Sequence, residues 1–298
     1  MIDLQVHSFE EKIDFPTITD AVELFIKRDD LIHPFISGNK WRKLKYNLIK
    51  ARNENKTHLV TFGGAYSNHL LATAAAGAKF GFKTTAFVRG EKVNNHTLSM
   101  CGMFGMETIF VERELYKNKE ELFNNYYKDH NEVMMLAEGG YGYEAELGCR
   151  EIIQELTQEY QYIFCASGTG ATAAGIINEV AIQKLKTKVH IVSSLKGGDF
   201  LKTEIENLLE NPNQPYHLHT DYHFGGYAKT TPQLIDFIKI FGKQTGILLD
   251  PVYTGKTLFA IQDLAKKNAF KKGEKVLMIH TGGLFGLLGM IDKFTTNE

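Results

Sequence analysis

Along the chain, short runs of β-branched and aromatic residues alternate with longer stretches in which apolar residues recur every three or four positions. The runs at 58–62, 83–88, 107–111, 162–166, 188–193, 216–219, 247–252 and 276–280 predict strands. The stretches at 67–80, 144–160, 171–185 and 254–268 predict helices among them. From about Thr57 onward this is the signature of βαβ units, so the chain is expected to be an α/β protein with a mostly parallel sheet. No Pro- or Ser-rich tether and no repeat interrupts the alternation. The glycine cluster at 137–143, AEGGYGY, is the expected crossover, and a cleft between two halves should lie near it.

Composition narrows the field. The 298 residues carry 34 Lys plus Arg against 35 Asp plus Glu, and 43% are hydrophobic. That is enough apolar material for one large or two ordinary cores, and it excludes a disordered chain. Near-balanced charge gives no global attraction to nucleic acid or anionic membrane, so a partner has to be recognised at a local site. No apolar run reaches the ~18 residues of a spanning helix, and MIDLQVHSFEEKIDF lacks the basic-then-apolar order of a secretory signal. A cytoplasmic location is expected. Cys101, Cys149 and Cys165 are odd in number, far apart and without a C-x-x-C pair, so free thiols are expected.

Open parallel sheets bind ligands at the carboxyl ends of their strands, and four such ends carry unusual chemistry. At 61–69, TFGGAYSNH, two glycines precede Ser67 and Asn68 at the start of an alanine-rich helix; Ser67 is either a plain N-cap or a ligand contact, and the glycines suggest close backbone approach to a ligand. At 162–175, YIFCASGTGATAAG, the Gly168-Thr169-Gly170 turn runs into a small-residue helix containing Thr172, a fit for a phosphate on free backbone N–H groups and hydroxyls. It lacks the G-K-[ST] ending of a Walker loop and the downstream acidic residue of a dinucleotide fold. At 37–48, SGNKWRKLKYNL, a helical wheel places Trp41, Leu44, Leu48 and Ala51 on one face with Lys40 at its edge. Lys40 is therefore expected to point into protein, with its pKa depressed by desolvation and nearby positive charge, whereas Arg42, Lys43 and Lys45 read as a solvated basic face. At 250–257, DPVYTGKT, Tyr253 and Thr254 stand just before a helix, and Thr281-Gly282-Gly283 follows the last strand. His217, His219 and His223 have metal-like spacing, but no carboxylate or cysteine completes a set and no metal site is assigned.

Taken in order, SGNKWRKLKY, GGAYSNH, SGTGATAAG, LDPVYTGK and HTGG resemble the 1-aminocyclopropane-1-carboxylate deaminase and D-cysteine desulfhydrase family, over a span from Lys27 to Gly283. These are pyridoxal 5'-phosphate enzymes of the tryptophan-synthase-β fold type. The resemblance implies two open, mostly parallel sheets with helices on both faces. It implies a larger domain of residues 1–42 with 146–298 and a smaller one of 43–145, with the active site in the cleft between them. It also implies that Lys40 bears the cofactor covalently and removes the substrate's α-proton. Ser67, Asn68 and His69 would hold the substrate, with Asn68 also touching the cofactor ring oxygen. Gly168, Thr169, Gly170 and Thr172 would hold the phosphate, and Tyr253 and Tyr227 would act at the reacting carbon. In the deaminase branch a glutamate at the position of Thr254 keeps the ring nitrogen protonated. Threonine there matches the desulfhydrase branch, whose weaker electron sink suffices for loss of a good β leaving group. Ala228, Lys229 and Thr230 depart from the family pattern after Tyr227. A D-cysteine desulfhydrase-like homodimer is the expectation, with the deaminase or a non-catalytic phosphate-ligand binding protein as alternatives.

Overall fold

The computed structural model describes residues 2–295. In chain order the elements are β1 (Glu10–Ile13), α1 (Pro16–Thr19), β2 (Glu23–Lys27), α2 (Asn39–Asn53), β3 (His58–Gly64), α3 (Asn68–Phe80), β4 (Lys83–Arg89), α4 (His96–Met103), β5 (Glu107–Val111) and α5 (Lys119–Tyr127). They continue with β6 (Val133–Met135), α6 (Tyr143–Gln154), β7 (Tyr162–Ser167), α7 (Ala171–Ile182), β8 (Lys188–Ser193), α8 (Phe200–Glu206), β9 (His217–His219), α9 (Pro232–Thr245), α10 (Thr254–Lys266) and β10 (Lys275–Ile279).

Two sheets result. One has the order β1-β2-β10-β7-β8-β9, parallel except for β1; the other has the order β5-β4-β3-β6, parallel throughout. The α/β fold with two parallel-rich sheets is as expected. The central strand β7 is buried at every position, as expected where helices cover both faces of a sheet. On β7, Tyr162 and Phe164 enter a core with Phe237, Phe241 and Leu258, while Ile163 and Cys165 enter the opposite core with Ile152, Ile176 and Ile177. All three cysteines are buried free thiols.

Two expected elements differ. The segment 247–252 pairs with no strand and runs directly into α10. Pro251 has no N–H to give a ladder, and the Asp250 carboxylate collects the N–H groups of Val252, Tyr253 and Thr254, turning the chain into the helix. Helix α6 ends at Gln154 rather than 160, leaving 155–161 to cross into β7.

Helix α2 holds the surprise. Trp41, Leu44, Leu48 and Ala51 pack in one cluster with Leu59, Ala72 and Ala75, as the wheel required. The basic face is not solvated, however. Arg42 is fully buried and Lys43 nearly so, because α6 covers that side. The approach is close enough that a Cβ on Gly148 of α6 would lie 1.8 Å from the Arg42 carbonyl oxygen. Lys45 alone keeps to the rim, paired with Glu151 at 2.5 Å.

Candidate active site

The carboxyl ends of β3, β7 and β10 open into one cleft between the sheets. Lys40, Ser67, Asn68 and His69 line it from one side, Gly168, Thr169, Gly170 and Thr172 from another, and Tyr227 and Tyr253 from a third. Thr281, Gly282 and Gly283, after the last strand, form part of its wall. Gly139, from the expected crossover, also lines it.

Lys40 sits in the first turn of α2, entered through Gly38 at φ +59°, where a Cβ would overlap the Thr281 carbonyl oxygen at 2.0 Å. Only glycine permits this approach. The Lys40 amine donates to Asn39 Oδ1 at 2.8 Å, and Asn39 Nδ2 donates to Thr172 Oγ1 at 3.0 Å. Burial, reinforced by the charge on Lys43, lowers the Lys40 pKa from 10.5 to about 7. Lys43 donates to the Gly139 carbonyl and to Thr169 Oγ1, both at 3.1 Å, and burial lowers its pKa as well. Among the described residues, neither lysine has a carboxylate within ion-pair distance.

The glycine turn is built as an anion cup. Gly170 takes φ +92° immediately before α7, and its N–H donates to Ser167 Oγ at 3.2 Å. Gly168 has a second reason to lack a side chain: a Cβ there would press on Tyr253 at 3.2–3.3 Å. Thr169 and Thr172 carry hydroxyls at the same helix N-terminus, and Lys43 supplies the positive charge.

Ser67 precedes α3 in extended conformation, yet its hydroxyl makes no capping bond to the helix. The plain N-cap alternative is thereby set aside. Gly63 serves a different purpose from the expected one, since a Cβ there would meet the Ser67 and Leu70 side chains at 2.9 Å. Gly63 thus makes room for protein, whereas a Cβ on Gly64 would meet only Arg89 Nη2 at 3.8 Å. His69 is buried, with Nε2 2.9 Å from Thr61 Oγ1, and that hydroxyl donates to the Leu136 carbonyl at 3.1 Å. The threonine proton is thus committed, so His69 carries its own proton on Nε2 and leaves Nδ1 as a buried acceptor with no protein partner. Burial, with Lys40 and Lys43 nearby, lowers its pKa to about 3, and the ring stays neutral.

The two tyrosines meet edge to face with ring centroids 6.2 Å apart. Burial, then the neighbouring Tyr227 phenol and Asp250 carboxylate, push the Tyr253 phenol well above its ordinary pKa, so it keeps its proton at neutral pH. Thr254 is fully buried behind the cleft lining. Its Oγ accepts from the Asp250 backbone N–H at 2.9 Å and donates to the Asp250 carboxylate at 3.1 Å. The Asp250 cap on the next three backbone N–H groups explains the Asp-x-x-Tyr spacing. Asn39 has no signal in the sequence, and Lys43, expected in solvent, is buried at the cleft instead; a lysine in a basic stretch gives no sign of burial until its cover is known. His217 and His219 lie on β9 against His190 of β8, away from the cleft, with His190 Nδ1 2.9 Å from His219 Nε2. Among the described residues no His, Cys, Asp and Glu group is arranged to hold a metal.

Two amines without counter-ions among the described residues, Lys43 buried and Lys40 half-buried, together with an orphaned imidazole nitrogen and an N-terminal glycine cup, describe a site for an anionic, carbonyl-bearing group. Pyridoxal phosphate fits these residues: the cup and Lys43 match its phosphate, and Lys40, with its lowered pKa, matches its aldehyde. Comparison with known proteins agrees. The family described as "Pyridoxal-phosphate dependent enzyme" matches residues 13–282. A Pyrococcus furiosus protein named provisionally as a 1-aminocyclopropane-1-carboxylate deaminase is 32% identical, over 93% of this chain and 90% of its own length. A mitochondrial Arabidopsis thaliana protein named as a bifunctional D-cysteine desulfhydrase/1-aminocyclopropane-1-carboxylate deaminase is 29% identical, over 95% of this chain and 78% of its own. A crystal structure described as an ACC deaminase homologue aligns with a TM-score of 0.86 and 29% identity, covering 98% of this chain and 94% of that one. The chain therefore belongs to the pyridoxal-phosphate-dependent enzymes, in the 1-aminocyclopropane-1-carboxylate deaminase/D-cysteine desulfhydrase family.

Proposed function

We propose that this enzyme converts D-cysteine and water to pyruvate, ammonia and hydrogen sulfide by α,β-elimination. The observation that carries the reading is position 254. The residue after Tyr253 is a buried threonine whose hydroxyl is tied to Asp250, so it brings no free carboxylate to hold a proton on the cofactor ring. That suits a substrate with a good leaving group more than the opening of a cyclopropane.

Pyridoxal phosphate, when bound, supplies the electron sink that spreads the charge left on the substrate's α-carbon. Lys40 takes up that proton, and a pKa of about 7 suits both its nucleophilic and its basic roles at neutral pH. The free Ser67 hydroxyl and the N-terminus of α3 at Asn68 and His69 hold the substrate carboxylate, where the helix dipole favours an anion. Gly168, Thr169, Gly170, Thr172 and Lys43 hold the phosphate. Tyr253 retains its proton and donates a hydrogen bond to the departing sulfur, with Tyr227 beside it.

The same reading includes two domains, residues 1–42 with 146–298 and residues 43–145. Its support is that one sheet draws its strands from 10–27 and 162–279, the other from 58–135. It also includes a cytoplasmic location, which rests on the sequence pattern and is checked by fractionation, and a homodimer, which rests on the family resemblance and is checked by sedimentation.

The 1-aminocyclopropane-1-carboxylate reading has its own support, because both activities appear in the name of the Arabidopsis relative. The test offers D-cysteine, L-cysteine and 1-aminocyclopropane-1-carboxylate separately to the purified holoenzyme. Pyruvate with sulfide from D-cysteine is the expected result. Release of 2-oxobutyrate from 1-aminocyclopropane-1-carboxylate, with no sulfide from either cysteine, would replace this proposal with the deaminase.

A further inference from the structure

The loop between β9 and α9 delivers Tyr227 to the cleft by an unusual path. Phe224, Gly225, Gly226 and Ala228 all have positive φ, at 53°, 98°, 122° and 55°. Two of these four carry a Cβ in a region that side chains avoid, so the loop keeps this shape only because something over-determines it. Phe224 packs edge-on against Phe259 of α10, centroids 5.0 Å apart, which anchors one end. The other restraint is Lys256, fully buried in the first turn of α10. Its ammonium donates to the carbonyls of His223 at 2.8 Å, Gly226 at 2.9 Å and Ser194 at 3.2 Å.

Three N–H donors meet three main-chain oxygens, and among the described residues Lys256 has no carboxylate in ion-pair range. Burial lowers its pKa only to about 8, so at neutral pH all three protons are in place. The donor set joins three pieces of chain: the end of β8, the loop that precedes Tyr227, and the helix turn that follows Tyr253. Tyr227 is one residue from Gly226, and Tyr253 is three residues from Lys256. The spacing of the two tyrosine rings is therefore fixed through this one ammonium.

We propose that Lys256 is a positioning residue that holds the strained 223–228 loop closed and sets Tyr227 against Tyr253, making this loop the element that selects the substrate side chain. The inference rests on the cleft being the active site proposed above, with the tyrosines at the leaving group. A buried lysine bonded only to main chain would otherwise contribute stability alone, and the two roles give different results.

The experiment compares wild type, Lys256→Met, Tyr227→Phe and the double variant as holoenzymes. Lys256→Met is expected to leave the cofactor absorption and its borohydride trapping on Lys40 unchanged. It should lower kcat/KM about 10²-fold, the scale of an ångström's misplacement, and should add little in the Tyr227→Phe background. Amide exchange should quicken at 224–229 and not in the body of α10. Fully additive losses, or unchanged exchange in the loop, would overturn the proposal. If Lys256→Met does not fold, Gly225→Ala, at an exposed position with φ +98°, strains the same loop and must reproduce the loss in kcat/KM; full activity in that variant overturns the proposal equally. If neither D-cysteine nor 1-aminocyclopropane-1-carboxylate is turned over, the functional reading fails, and the exchange pattern still decides the role of Lys256.

Discussion

Helix α2 carries three basic side chains within four residues, Arg42 and Lys43 buried and Lys40 half-buried at the cleft, and they fall into two groups. Arg42 is enclosed by acid: its guanidinium donates to Asp29 at 3.0 and 3.2 Å and to Glu155 at 2.6 Å, with Glu151 at 3.5 Å, and Lys27 joins the same cluster through Glu155 at 3.1 Å. These carboxylates raise its pKa above the ordinary value. Lys40 and Lys43, one turn of the same helix, donate among the described residues only to neutral oxygens, and burial lowers both their pKa values. Burying a charge is costly unless it is paired. On this helix, the cation given a counter-charge by the protein holds the fold together, and the two amines given none face the cleft of the proposed cofactor site. The difference marks the functional end of the helix more sharply than burial or residue type does.

The largest effect that tests this contrast is at Lys40. Lys40→Ala removes both the nucleophile and the base, and turnover should fall by about 10⁴-fold or more, with no cofactor trapped by borohydride. A variant that still traps the cofactor covalently would show that another amine does the work, and the contrast would lose its functional half.

Arg42→Met tests the structural half. It leaves Asp29 buried without its partner, and breaking such a network costs about 3–5 kcal/mol. Denaturant unfolding of the apoprotein should show the loss, while holoenzyme that survives should retain its cofactor spectrum. Lys43→Met should do the opposite on both counts. Cofactor affinity should weaken about 10- to 100-fold as a charge-assisted bond to phosphate disappears. The apoprotein should become no less stable, because an unpaired buried charge has been replaced by an apolar chain of similar length. If both variants destabilise alike, the division between the two groups is wrong.

This contrast also shows where sequence reading stopped. The wheel placed Trp41, Leu44, Leu48 and Ala51 on one buried face and Lys40 at its edge, and the structure agrees, because periodicity reports the strongest apolar stripe. It assigned Arg42 and Lys43 to solvent, because periodicity cannot tell that a second helix covers the polar side. The carboxylates that partner Arg42 come from Asp29 and from positions more than 100 residues away, a pairing fixed only by tertiary packing. The same limit applies at 247–252. Its apolar run looks like a strand, and only the Asp250 carboxylate's bonds to the next three backbone positions show it to be the entry to a helix. The glycine cup and the tyrosine at 253 were legible because local chain chemistry suffices to build them. Asn39, which joins Lys40 to Thr172 across 133 positions of sequence, was not.

The smallest effect is the most discriminating, because it reads the shared field of the two lysines directly. In the apoprotein, Lys40 has a pKa of about 7 against 10.5 for the unperturbed group. Between those values the unfolded chain binds more protons at this site than the folded one. The burial penalty is therefore fully present below about pH 7 and is relieved as pH rises toward 10.5, so apoprotein stability should gain from this group across that window. The rate at which the apoprotein takes up pyridoxal phosphate should rise through the same lower midpoint, since only the neutral amine attacks. Part of the depression comes from Lys43's charge and the larger part from burial. Lys43→Met should consequently move the midpoint upward, but only part of the way to 10.5. A midpoint that stays fixed in Lys43→Met would mean that the two amines do not sense each other, and that the phosphate cup and the reactive lysine are electrostatically separate sites.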